Sequence, residues 1–129
     1  MNKEDKALLI KDLCARLPYN VMCQVEFKED GKHNSKVMLL SGIFTDEAYF
    51  TTKGGSIYSN EYKPYLFPLS SMTEEQIKEF NSITQKCSTY IGKSILLTDF
   101  CNKHHIDWRG FIEKGLAEDA TDKNIYDYL

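Results

Sequence analysis

Apolar and polar side chains alternate between positions 21 and 27 of this chain, in the stretch VMCQVEF. The apolar positions are Val21, Cys23, Val25 and Phe27. A period of two is that of a β-strand with one buried face, because successive side chains of an extended chain point to opposite sides. Asp30 and Gly31 follow within a polar loop and indicate a turn. The sequence therefore predicts a hairpin at this point.

Extended segments separated by short turn signals continue to about residue 67. The run from 36 to 43 is apolar enough for a more fully buried strand, in which Gly42 indicates a bend or bulge. The prolines of KPYLFP fit a strand end or an edge. Several short strands with tight turns predict a small, strongly bent antiparallel sheet over residues 21 to 67. An SH3-like partial barrel is the architecture that this pattern favours.

Helical patterns flank the predicted sheet on both sides. The first covers residues 4 to 17 and ends before Pro18. Its predicted apolar face consists of Ile10, Leu13, Cys14 and Leu17. Thr73 and Gln76 predict a capping box that opens a helix over residues 73 to 86, and further helices are predicted over 94 to 105 and 108 to 114. The predicted fold is therefore α+β, with an N-terminal helix and a C-terminal helical region, in a single domain spanning residues 1 to 129.

The composition excludes several classes of protein. Hydrophobic residues make up 42% of the chain, which is enough for a core without disulfides. The four cysteines show no CxxC spacing, and we interpret them as reduced thiols. A net charge of −3 argues against a surface for duplex DNA. The charged N-terminus and the lack of a long apolar run predict a soluble cytoplasmic protein without membrane contact, and no cofactor is expected.

The segment HHIDWRGFIEKGL, from residue 104 to 116, raises the possibility of an active centre. Cys101, His104 and Asp107 are residue types that bind zinc or iron, and Cys101 with His104 could form a nucleophile pair. Cys101 and His104 share a helix face, but His105 is rotated about 100° from His104. Asp107 is expected beyond the end of the helix. A metal centre or catalytic site here therefore stays an alternative hypothesis.

The same segment has a structural interpretation that accounts for more of its residues. His104 and His105 would lie at a helix C-terminus, where a partly protonated imidazole suits the helix dipole. Asp107 would cap the helix over 108 to 114. Gly115 would adopt the left-handed conformation after it, and Leu116 would make the accompanying apolar contact. We therefore predict a corner between two helices.

Aromatic residues are concentrated in KPYLFP and near the single tryptophan. The predicted interaction surface consists of Tyr62, Tyr65, Phe67, Trp108 and Arg109. Aromatic and arginine side chains at element ends favour contact with a protein partner. Rings in short strands could instead stack on the bases of a single-stranded nucleic acid, with nearby lysines supplying charge. The acidic balance of the chain makes nucleic acid the less favoured partner.

The stretches KPYLFPLSSMTEEQ and HHIDWRGFIEKGLA resemble those of a family of small proteins from gut Bacteroidetes and their phages and mobile elements. The opening LIKDLCARLPYNVMCQV is similar as well, so the resemblance covers most of the chain. The family has no assigned activity, and no site residue is carried over from it. The resemblance implies a cytoplasmic accessory protein that a phage or mobile element could carry.

These observations favour a non-enzymatic intracellular module that binds an unidentified protein partner through the KPYLFP region and the adjoining WRGF corner. The first alternative is an enzyme or metal-binding protein that uses Cys101, His104 and Asp107. The second is a protein that binds single-stranded nucleic acid through its aromatic strands. The sequence does not choose an oligomeric state.

Overall fold

The computed structural model describes residues 2–44 and 47–127, which form three helices and a mostly antiparallel sheet. The helices are α1 (Lys3–Arg16), α2 (Glu74–Lys86) and α3 (Tyr90–Lys103). The strands are β1 (Met22–Glu29), β2 (Lys32–Ile43), β3 (Ala48–Thr52), β4 (Gly55–Ser59), β5 (Glu61–Leu66) and β6 (Glu118–Asp119). The predicted α+β class, with one helix before the sheet and a helical region after it, is confirmed.

The sheet has the strand order β4-β3-β2-β1-β5-β6, and among these described strands only the β5–β6 pair is parallel. Strands β4 and β5 are consecutive in the chain and are separated by Asn60 alone, yet three strands lie between them in the sheet. The sheet must therefore roll so that the end of β4 approaches β1. The Ser59 hydroxyl shows this approach, because it donates to the carbonyl oxygen of Glu26 in β1 at 2.6 Å.

The roll confirms the strongly bent sheet that the sequence predicts. The expected irregularity at Gly42 is also present, since the register between β2 and β3 shifts between Leu40 and Gly42. Over the described residues the sheet stays open. The finer resemblance to an SH3-like partial barrel therefore stays a prediction.

Helix α1 packs its buried side against the sheet. Leu9 and Leu13, four residues apart and thus on one face, are at most 1% exposed and belong to the core cluster that includes residues of β1 and β3. Burial of each such side chain contributes about 2 kcal/mol. The predicted face of α1 is partly wrong, because Cys14 is exposed and Leu9 takes its place. The alternation in β1 is confirmed, with Val21, Cys23 and Val25 fully covered.

The capping box of α2 is confirmed. The backbone N–H of Gln76 donates to Oγ1 of Thr73 at 3.2 Å, and Oε1 of Gln76 accepts from the N–H of Thr73 at 3.0 Å. Helix α3 begins at Tyr90, four residues before the predicted start, with Thr89 as its N-cap. Gly92 was expected to precede this helix but lies in its first turn, where the backbone N–H bonds to Thr89 instead of to a helical carbonyl.

The predicted helix over residues 108 to 114 is wrong. This part of the described chain forms turns, and Gly110 has a φ of +77°, which no α-helix accommodates. The predicted ending is nevertheless present. Gly115 adopts a φ of +74°, its N–H donates to the carbonyl of Ile112, and the N–H of Leu116 donates to that of Phe111. These two bonds are those of a Schellman motif that closes one turn of chain without a helix before it.

Candidate functional site

A second Schellman motif ends α3 and turns the chain toward β5. The N–H of Ile106 donates to the carbonyl of Cys101 at 2.8 Å, and the N–H of His105 donates to that of Asn102 at 3.3 Å. His105 occupies the left-handed position with a φ of +59°. A side chain at that position costs roughly 1 kcal/mol relative to glycine, so contacts of the imidazole must offset the strain.

The chain after this turn extends the sheet past β5. The N–H of Phe67 donates to the carbonyl of His105, and the N–H of Asp107 donates to that of Phe67, both at 2.8 Å. The Asp107 carboxylate then accepts from the backbone N–H groups of Phe111 at 2.8 Å and Ile112 at 2.9 Å. Asp107 is thus a cap, as the structural interpretation predicts, but it caps an isolated turn.

A buried ionic network connects α1 to the same segment. Nε of Arg16 donates to Oδ2 of Asp12 at 2.7 Å, and Nε of Arg109 donates to Oδ1 at 3.1 Å. Arg16 also donates through Nη2 to the carbonyl of Ile106 at 2.7 Å. The side chains of Asp12 and Arg16 are 1% and 0% exposed. One carboxylate therefore fixes two guanidinium groups that lie 93 positions apart in the chain.

The only tryptophan is held by this arrangement. Nε1 of Trp108 donates to Oδ1 of Asn102 at 3.2 Å, and the guanidinium of Arg109 lies over the indole at 4.1 Å from its centre. A cation at this distance from the face of an aromatic ring attracts it electrostatically. Trp108 and Arg109 are both partly exposed. The result is an indole ring with a fixed position at the surface.

A groove of about 520 Å³ lies beside this ring. We call it the Trp108 groove, and its lining residues are Pro68, Leu69, Ser70, Asp107, Trp108, Arg109, Gly110, Ile112 and Glu113. Leu69 forms part of one wall and is 48% exposed, although it is a large apolar residue. The lining comes from two parts of the chain, residues 68–70 and residues 107–113. Of the predicted surface residues, Trp108 and Arg109 line the groove, whereas Tyr62, Tyr65 and Phe67 do not.

The structure separates the predicted surface residues into two groups. Phe67, Trp108 and Arg109 are partly exposed, whereas Tyr62 and Tyr65 are only 6% and 7% exposed. The Tyr65 hydroxyl donates to Oε1 of Gln24 at 2.6 Å. Two of the five residues therefore have little surface to offer to a protein or to stack on a base. Whether the other three bind a partner stays a prediction.

Sequence reasoning missed the contribution of Leu69 and Ile112 to this groove. The available signal was the position of Leu69 directly after KPYLFP, where the strand has ended and an apolar side chain has no sheet to cover it. Ile112 gave no signal, because it was placed in a helix that does not form.

Cys101, His104 and Asp107, the residues of the enzyme alternative, do not form a reactive site. Burial raises the pKa of the Cys101 thiol, which disfavours the thiolate that catalysis needs. Nε2 of His104 lies 3.5 Å from Oε2 of Glu79, and both oxygens of Asp107 cap backbone N–H groups. Within residues 2–44 and 47–127, no three histidine, cysteine or acidic side chains are grouped to hold a metal ion.

The four thiols should differ strongly in reactivity. We expect Cys14, which is exposed, to react first with Ellman's reagent at pH 8, and Cys23 and Cys101 to stay protected until the chain unfolds. Burial raises the pKa of Cys23 far above its ordinary value, so its thiolate is scarce in the folded chain. Stopped-flow absorbance with Cys14→Ser and Cys101→Ser variants identifies the phases that belong to these two thiols. A fast phase that disappears in Cys101→Ser would show a reactive Cys101 and revive the enzyme alternative.

The comparisons with known proteins identify no relative. No family model matches the chain, and no curated protein or solved structure is significantly similar to it. In the described part of the chain, none of the helices combines the length and the apolar character that crossing a bilayer requires.

Proposed function

We propose that this chain is a non-enzymatic intracellular protein-interaction module whose partner docks in the Trp108 groove. One observation carries the proposal. A partly exposed indole, fixed in place by Asn102 and Arg109, lines the same groove as a half-exposed leucine. Large apolar side chains left open in a concave surface are typical of interaction sites.

The fixed geometry of the groove favours binding. Binding orders side chains at an interface, and the entropy lost in this way lowers the affinity. Because the Trp108 ring is already held, it avoids most of that entropic cost. Tryptophan and arginine are the residues that most often dominate binding energy at interfaces. A partner segment with an apolar side chain would fill the space between Leu69 and Trp108. The guanidinium of Arg109, at the rim, would then donate to a carbonyl or carboxylate of that segment.

Site-specific photo-crosslinking tests this function in cells that express the chain naturally. With p-benzoylphenylalanine at position 69, irradiation should give a discrete adduct with one partner protein. The same photo-reactive residue at position 11, on the exposed side of α1, is the matched control and should give no such adduct. Trp108→Ala in the position 69 background should reduce the adduct at least fivefold.

Trp108 also supplies a direct readout. Because it is the only tryptophan, a purified partner that fills the groove should shift the intrinsic emission to shorter wavelength. An adduct that forms equally at positions 69 and 11, or that persists in the Trp108→Ala background while this variant stays folded, would contradict docking in the groove.

A further inference from the structure

Strand β4 has one edge that no other described strand pairs with. It lies at the end of the sheet order, next to β3 alone. Thr52 and Gly55 flank a two-residue turn and therefore form a hydrogen-bonded pair. Non-hydrogen-bonded and hydrogen-bonded pairs then alternate along the antiparallel hairpin. Ser56 and Tyr58 are in the non-bonded pairs. Their N–H and C=O groups therefore point away from β3, toward the free edge.

The free edge of β4 faces a second free edge across a groove. Strand β5 pairs with β1 only from Cys23 to Glu26, so no described strand pairs with that side of β1 from Phe27 to Glu29. Two adjoining clefts, of about 650 and 250 Å³, lie between these segments of β1 and β4. Phe27 and Ile57 line both clefts and pack against the core beneath. We call this the β4 edge groove.

The exposed ring of Tyr58 lines the larger cleft of the β4 edge groove, and the rings of Tyr49 and Phe44 pack against it. The ring centres of Tyr49 and Tyr58 are 4.9 Å apart, and those of Phe44 and Tyr58 are 5.7 Å apart. Phe44 and Tyr58 are 54% and 55% exposed. A ring in this position on an edge strand can contact a side chain of an added strand, and its aromatic neighbours hold it in place.

The larger of the two clefts is acidic. Its charged lining consists of Glu26, Glu47 and Glu61 against Lys28, with His33 at 2.7 Å from Glu26. The smaller cleft adds Glu29 and Lys36, so four carboxylates lie against two ammonium groups over the whole groove. This excess of negative charge favours a positively charged occupant. The unpaired backbone groups of Ser56 and Tyr58 favour an extended polypeptide, because such a chain presents N–H and C=O groups at the matching spacing.

We propose that the β4 edge groove binds an extended, basic segment of a partner polypeptide by strand addition. The segment pairs with Ser56 and Tyr58 and rests a side chain on the Tyr58 ring. Its lysine or arginine side chains lie beside Glu47 and Glu61. This surface is distinct from the Trp108 groove and does not depend on it.

A display library of random twelve-residue linear peptides tests the proposal on the purified full chain. We expect enriched peptides that combine β-branched residues with lysine or arginine. In the ¹⁵N-labelled protein, these peptides should slow amide exchange at Ser56 and Tyr58 at least tenfold. Their affinity should fall as salt concentration rises, because the charge pairs are exposed.

Ser56→Pro is the matched disruption of the edge. It removes an N–H that does not pair with β3, so the β3–β4 ladder survives while the peptide loses a partner. We expect its dissociation constants to rise at least tenfold, whereas Tyr90→Ala, which removes an 84% exposed tyrosine of α3, should change them less than twofold. Trp108→Ala should leave them unchanged, which separates this proposal from the Trp108 groove.

Four results would overturn the proposal. The library could yield no enriched peptide family, or its peptides could bind the Ser56→Pro variant as tightly as the unchanged chain. The slowed amide exchange could map away from Ser56 and Tyr58, or a second copy of this chain could occupy the edge. The last would appear as a dimer in sedimentation that Ser56→Pro dissociates. If the amide spectrum shows that Ser56→Pro is unfolded, the double variant Glu47→Lys/Glu61→Lys replaces it. A loss of affinity below threefold in that variant would equally reject the proposal.

Discussion

Asp12→Ala should destabilise the folded chain by about 3–5 kcal/mol, because it leaves a fully buried guanidinium without its counter-charge. Arg16 is 0% exposed and bonds to Asp12 at 2.7 Å, so water cannot replace the lost carboxylate without opening the core. Arg109 loses its partner in the same substitution. Urea unfolding followed by circular dichroism and by Trp108 fluorescence measures the change as a shift in the midpoint.

Two variants test the cause of this loss. Lys11→Ala, on the exposed side of the same helix, should change stability by no more than about 0.5 kcal/mol. The double variant Asp12→Leu/Arg16→Met replaces both charges. It should lower the free energy of unfolding less than Asp12→Ala alone does, because no unpaired charge stays buried. A double variant as unstable as Asp12→Ala, or an Asp12→Ala chain that unfolds at the original midpoint, would refute the importance of the ion pair.

The same network links stability to the proposed function. Asp12 positions Arg109, and Arg109 covers the face of Trp108. Helix α1 is thus the support of one wall of the Trp108 groove, although none of its residues lines it. A partner that binds the groove should stabilise the chain against unfolding, since it binds only the folded arrangement.

Short-range signals allowed much of this fold to be predicted. A capping box depends on residues three positions apart, and the alternation in β1 depends on residues two apart, so both are visible in the sequence. The Schellman ending at Gly115 and Leu116 was predicted for the same reason. The prediction of a helix before it was wrong because Gly110 takes a left-handed conformation. The sequence pattern around Gly110 did not indicate this, since a helix tolerates a single glycine.

Contacts between distant residues could not be predicted. Asp12 and Arg109 meet only because α1 contacts α3 and the segment that follows it, and the sequence contains no local trace of that pairing. The burial of Tyr62 and Tyr65 has a similar cause. Both lie in β5, which the rolled sheet places between β1 and β6, so rings that an edge strand would expose are covered.

His105 also departs from its predicted role. The sequence suggested an imidazole that is partly protonated beside the helix C-terminus. Instead, burial and the nearby Arg16 guanidinium lower the pKa of His105 to about 4, with a smaller contribution from His104. Its ring stacks on Tyr126 at 3.8 Å, and Tyr126 in turn donates its hydroxyl to the carbonyl of Tyr65 at 2.7 Å. The imidazole is therefore neutral at pH 7.

The lowered pKa of His105 predicts that acid weakens the fold before most carboxylates titrate. The unfolded chain binds this proton with a pKa near 6.5 and the folded chain with one of about 4, so the contribution is complete above pH 6.5 and is lost as pH falls toward 4. The full loss of unfolding free energy is about 3 kcal/mol.

His105→Asn should flatten the profile of stability against pH across this window, because asparagine tolerates the left-handed backbone and carries no titrating group. Urea midpoints of both proteins between pH 4 and 7.5 measure the difference. Parallel profiles, or a His105 ring proton that titrates above pH 6 in NMR spectra, would contradict the burial of a neutral imidazole.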